Sequence, residues 1–270
     1  MMSIYLLELR NIRRSAGLAT MVVSLILTLM LAFYPSMQTD SMRALAGAKL
    51  QSINPAVLAA LGITQIMDFS VISIFFGYIL QFVALMIMAV VTQQAVALLI
   101  KEETDGTIEY LCARPVSRTG IFWGKWMAHL TTLALMMLCF AAVTAAGYVA
   151  FGQCAPGAAL REALLLFGAI LFVALVFSAL GVLLSAWVRS SRGAATLTMA
   201  LVFGSFLCGM LSTLIPSLEP LIWLSPLNWI RAQKLLSEGI SAKEWAAGLG
   251  AIVASAGCAW ARYCRKDLLI

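Results

Sequence analysis

Charge is what this chain has least of: Asp, Glu, Lys and Arg together make 11% of its 270 residues, against about 25% in an ordinary soluble domain. Apolar residues make 62%, and the mean hydropathy is +0.97. No water-soluble fold hides such an excess, so lipid is the solvent this composition requires. Histidine is nearly missing. The single His129 has no second histidine and no H-E-x-x-H around it to complete a metal site. At the start of the third apolar run, it reads as a hydrogen-bonded residue of the membrane interface. Six cysteines, at 112, 139, 154, 208, 258 and 264, form no C-x-x-C and no zinc spacing. Most lie in apolar stretches, where a free cysteine acts as a small hydrophobe. The nucleophile motif Gly-x-Ser-x-Gly is absent. Gly120-Ile-Phe-Trp-Gly124-Lys125 looks like a phosphate loop but is one residue short between its glycines, and Trp126 stands where Ser or Thr would hold magnesium. These absences leave no residues to catalyse a reaction or to hydrolyse a nucleotide. The net charge of +6 does not point to nucleic acid either, because the basic residues flank apolar segments as membrane anchors do.

What is present is a series of apolar runs of membrane-crossing length. About 20 apolar residues in a helix cross a bilayer core of about 30 Å. The charges divide the chain into six spans, at about 17–34, 71–100, 126–151, 163–188, 194–215 and 245–261. The first is too long for the core of a signal peptide, and Phe33-Tyr34-Pro35 is a poor cleavage site. The second lies within 32 uncharged residues between Asp68 and Lys101, enough for a helix of about 48 Å that must tilt or project into water. The sixth is the weakest. No acidic or basic residue is expected inside a span, so a proton relay through buried charge has no support. Small residues such as Gly204, Gly209, Gly77 and Ser73 are read as close-packing points between helices.

Basic residues set the orientation. With the N-terminus inside, Arg10, Arg13, Arg14, Lys101, Arg114, Arg118, Lys125, Arg189, Arg192, Arg262, Arg265 and Lys266 lie on the inner side. Only Arg43, Lys49, Arg161, Arg231, Lys234 and Lys243 lie outside. Both termini are therefore expected in the cytoplasm.

The connections carry structure of their own. Residues 3–16 place Tyr5, Leu9, Ile12 and Ala16 on one helical face, which predicts an interfacial helix before the first span. Asn54-Pro55 and Gly62 bracket a short outer helix. Arg189-Ser190-Ser191-Arg192 is a tight polar turn. Residues 216–244 hold Pro216, Pro220 and Pro226 with Trp223 and Trp229, and Ser225-Pro226 reads as a helix start at a membrane interface.

The longest inner segment, 101–125, differs from the rest, with four acidic and four basic residues in 25. Ile108, Leu111 and Cys112 put one apolar stripe on a short helix, Pro115 stops it, and Ser117 caps the helix that follows. The residues alone leave two readings open, a solvated loop or a braced helix that takes force from a soluble partner.

Glu102-Glu103-x-x-Gly106-Thr107-x-Glu109-x-Leu111-x-x-x-Pro115-Val116-Ser117-Arg118, followed by Ile121 and Gly124-Lys125, resembles the first cytoplasmic loop of ABC-2-type transporter permeases. The likeness extends loosely along the whole chain. It departs at Cys112-Ala113-Arg114, where small polar residues are common, and in the short last span. The resemblance implies an all-α membrane protein forming one transmembrane domain over 1–270: six transmembrane helices, the N-terminal interfacial helix, a cytoplasmic coupling helix and short re-entrant helices over about 216–243 before the last span. It implies a permease subunit, usually of an exporter, that is not itself an enzyme and carries no cofactor. ATP is bound by a separate ATP-binding cassette subunit, which meets the coupling residues Glu102, Glu103, Gly106, Thr107, Ile108, Glu109, Leu111 and Pro115. Two permease subunits, identical or related, pair with two ATPases in the cell membrane, as in a bacterial inner membrane. The largest inner segment is far below the roughly 50–200 residues of an autonomous domain, so energy for transport must come from another chain. The alternative class is a membrane protein without a transport cycle, such as an immunity or scaffold protein. An intramembrane enzyme is disfavoured by the missing polar constellation.

Overall fold

Proline opens several of the helices here. In the computed structural model, which describes residues 2–39, 71–104, 106, 117–188 and 190–265, Pro156 opens one long helix, and Pro216 and Pro226 open short 3-10 segments. A proline lacks the N–H that an interior position needs, and the first turn does not need it. The described elements are all helical. They are α1 (Met2–Ala32), α2 (Tyr34–Met37), α3 (Ile72–Thr104), α4 (Arg118–Gly152), α5 (Pro156–Ser185) and α6 (Ser191–Leu214). Two 3-10 segments (Pro216–Leu224 and Pro226–Ile230), α7 (Ala232–Ser237) and α8 (Ala242–Arg265) follow. Five of the helices are long and apolar enough to cross a membrane: α1 with α2, α3, α4, α5 and α6.

Caps place the boundaries. The Ser117 hydroxyl accepts the Gly120 N–H at 3.2 Å, as expected from its position before α4. Ser190 does the same for Gly193 in the polar turn before α6. Helix α8 begins with a reciprocal cap: Ser241 N–H donates to Glu244 Oε2 at 2.9 Å, while the Glu244 N–H points back to the Ser241 hydroxyl at 3.4 Å.

The expected interfacial helix is not a separate element. Residues 2–32 form one helix without a break, because nothing in that stretch interrupts it except Gly17, which costs a helix only about 1 kcal/mol. Its inward face begins at Ile4 and runs through Glu8, Ala16, Val23, Leu27 and Leu31.

The central helix is α5, flanked by α3, α4 and α8; α1 packs on the outer side of α4, and α6 on α3. A continuous apolar core joins Leu27 and Leu31 to Phe76, Phe140, Tyr148, Phe167 and Phe177. Helices α3 and α5 meet at Gly181, where a Cβ would stand 2.8 Å from that of Ala95 and 3.0 Å from the Thr92 carbonyl. Only a residue without a side chain permits that contact. Of the glycines read as packing points, Gly209 does meet Ser225 and Asn228, whereas Gly204 faces open space. Ser73 serves differently: its hydroxyl donates to Glu162 Oε2 at 2.9 Å, and Tyr148 donates to the other carboxylate oxygen at 3.1 Å. The expected helix over 54–62 lies outside the described residues.

Candidate functional site

The segment singled out in the sequence is rooted between the end of α3 and the start of α4. Glu102 and Glu103 belong to the last turn of α3. Gly106 stands beyond it at φ +66°, the left-handed conformation that glycine adopts freely and that ends many helices. At Gly106 itself the backbone is therefore not helical. Among the described residues nothing lies within 4 Å of where a Gly106 Cβ would be, so what asks for glycine there is the backbone conformation. Thr107, Ile108, Glu109, Leu111 and Pro115 lie outside the described residues.

The root itself is held by a buried charge. Lys125 flanks the apolar run at 126–151, yet it sits two turns inside α4, and its side chain is only 2% exposed. Its ammonium donates to the Leu98 carbonyl of α3 at 2.7 Å and stands 3.8 Å from Glu8 Oε2 of α1. One side chain thus joins three helices beside the loop. Buried charge lies here and at Glu162 of α5, inside the helices but just outside the runs read as spans at 126–151 and 163–188. A charge marks a boundary only when water surrounds it; these carboxylates and the ammonium find partners on neighbouring helices instead.

Around Lys125 an aromatic cluster closes the same end of the bundle. Phe122 packs against Trp123, Trp126 and Tyr263, and the Trp126 indole donates to the Ser178 hydroxyl of α5 at 3.3 Å. The C-terminal helix docks there too. The Arg118 guanidinium donates to the Cys264 carbonyl at 3.3 Å, and the Trp260 indole to the Thr119 hydroxyl at 3.4 Å. The Tyr5 hydroxyl donates to Thr131 at 3.2 Å. The start of α1, the end of α8 and the loop root therefore share one end of the molecule.

His129, one turn beyond Lys125 on the same face of α4, is fully buried, and neither ring nitrogen has a hydrogen-bond partner. This corrects its reading as a hydrogen-bonded interfacial residue: its helix starts at Arg118, which carries the ring deep between helices. Glu8 and Lys125 escaped sequence reasoning. One signal was available: Ile4, Glu8 and Ile12 recur every four residues, which sets Glu8 on the apolar face.

Among the described residues no group of His, Cys, Asp and Glu is placed to hold a metal ion. The arrangement ties the helix ends around one loop to one another. No curated protein matches the chain. The family model described as ABC-2 family transporter protein matches residues 2–268, nearly the full length, and the chain belongs to that family.

Proposed function

We propose that this chain is the permease subunit of an ATP-driven exporter, powered by a separate cassette ATPase that docks on the 101–125 loop. The observation that carries the reading is the tie at the root of that loop, where Lys125 links α4 to the Leu98 carbonyl of α3 and to Glu8 of α1. A push on the loop reaches α3 and α4 directly. The buried ion pair passes it to α1, and the contacts of Arg118 and Thr119 pass it to α8. In this reading Ile108 and Leu111 fill an apolar pocket on the ATPase, and Glu102, Glu103 and Glu109 pair with basic residues around it. Thr107 and Pro115 shape the segment, and Gly106 provides its turn. ATP stays in the partner.

The loop, the start of α1 and the end of α8 face the cytoplasm. Their common end supports this, as does the twelve-to-six excess of basic residues on that side. Residues 245–261 of α8 make the sixth span. Residues 216–241 dip back among the helices from the opposite side. Ser225, Asn228, Trp229 and Ile230 are buried, with Trp229 stacked on Phe172 of α5 at 6.3 Å, and irregular backbone at membrane depth is tolerated only when enclosed by protein. Two such chains and two ATPases make the working transporter in the cell membrane. Family membership does not favour a scaffold without a transport cycle.

The test is reconstitution. Vesicles holding this chain alone should hydrolyse no ATP, and the purified chain should capture a cassette ATPase and raise its activity. Hydrolysis by the chain alone, or no effect on any cassette ATPase expressed with it, overturns the proposal.

A further inference from the structure

Outside the bundle, between α1 and α4, runs an open groove with a volume of about 870 Å³. Its walls are apolar along most of their length, including the exposed Leu135 and Cys139 of α4. Arg10 and Arg13 stand at the end nearest the loop root, exposed to solvent. No acidic side chain lines the groove among the described residues, because Glu8, the neighbouring carboxylate, turns inward to Lys125. Gly17 leaves the α1 wall open, with nothing within 4 Å of where a Cβ would be.

We propose that this groove is a binding site for one anionic phospholipid of the membrane, held as a resident ligand. The phosphate pairs with Arg10 and Arg13, and an acyl chain lies along α1 toward Ser24. Two observations select this occupant. Two cations without a carboxylate among them call for an anion at one end only, which is the charge pattern of an acidic lipid. The distance also fits: from Arg13 to Ser24 the helix rises about 17 Å at ~1.5 Å per residue, close to half of a hydrocarbon core of about 30 Å. The site thus spans one leaflet. The groove lies on the outer side of α4, away from the central α5, where bilayer lipid reaches it without passing through protein. The inference rests on the proposed orientation only for the leaflet, which is the inner one.

The test uses the full chain alone, without an ATPase, so that failure of coupling and failure of lipid binding are distinguishable. The protein is reconstituted in phosphatidylcholine vesicles containing a minority of phosphatidylglycerol, then released, and its retained lipid is read by native mass spectrometry. Wild type should keep one phosphatidylglycerol in preference to phosphatidylcholine. Arg10→Gln with Arg13→Gln should cut that preference about 25-fold, roughly fivefold for each arginine. Gly17→Leu adds a side chain at a point where a Cβ meets nothing within 4 Å among the described residues; it should expel lipid of either kind, while thermal unfolding in detergent stays as in wild type. Phosphatidylglycerol retention unchanged in the double variant or in Gly17→Leu overturns the assignment. So does cross-linking of Cys139 between two copies in the membrane, which would make the groove a subunit contact.

Discussion

The ammonium of Lys125 stands 3.8 Å from the carboxylate of Glu8, with their side chains 2% and 5% exposed. Two charges so enclosed have lost their hydration, and each offsets part of that cost for the other. Removing one partner leaves the other charge buried without its counter-charge, which typically costs about 3–5 kcal/mol. Lys125→Met and Glu8→Gln should each lower the unfolding temperature in detergent markedly. The pair Glu8→Gln with Lys125→Met should recover most of the loss, because neither charge is then stranded. Simple addition of the two single losses would show that the residues do not depend on each other.

Coupling has its own variants. Leu111→Ala removes an anchoring side chain from the proposed ATPase contact, a change commonly costing about 1–3 kcal/mol at an interface. Gly106→Trp forces a bulky residue into left-handed backbone at φ +66°. Both should uncouple ATP hydrolysis from transport in reconstituted vesicles while the permease still inserts. Glu109→Gln should be milder, since an exposed pair contributes at most about 1 kcal/mol. Full transport and full ATPase stimulation in both Leu111→Ala and Gly106→Trp would make the loop a mere connection.

Cys154 and Cys264 lie at opposite ends of the molecule. Cys264 approaches Thr119 at the start of α4, and Cys154 follows the end of the same helix at Gly152, about 52 Å away for 35 residues. With both termini inside, a membrane-impermeant thiol reagent applied to intact cells should label Cys154 far faster than Cys264 or Cys112. Preferential labelling of Cys264 would invert the orientation.

Glu244 ties the start of α8, ahead of the proposed span at 245–261, to Lys234 and Ser241. Burial alone pushes its carboxyl up. The hydrogen bond from Lys234, the two from Ser241 and the Lys234 charge outweigh that and hold it below its ordinary value of 4.5. A carboxylate depressed on folding stabilises the fold above its unfolded pKa, and this is lost as pH falls through the folded value. Acidification below about 4.5 should therefore weaken wild type more than Glu244→Gln, as read by thermal unfolding across that range. Equal slopes in the two proteins would remove Glu244 from the acid response.

Helix positions were legible because they depend on local physics. Long apolar runs must close their own backbone hydrogen bonds in lipid, prolines end them, and Ser117 caps α4 through its own next turn. The family was legible for a related reason: the order and spacing of Gly106, Glu109, Leu111 and Pro115 are themselves sequence properties. What a charged residue faces is not local. Lys125 reads as a boundary anchor until α1, α3 and α4 are packed and leave it and Glu8 shut from water beside the Leu98 carbonyl. His129 likewise reads as interfacial, and only the length of α4 before it and the neighbours around it enclose its ring. Sequence determines which segments become helices. The tertiary structure decides which of their polar atoms still meet water, because the free energy of a charge is set by neighbours distant in the chain.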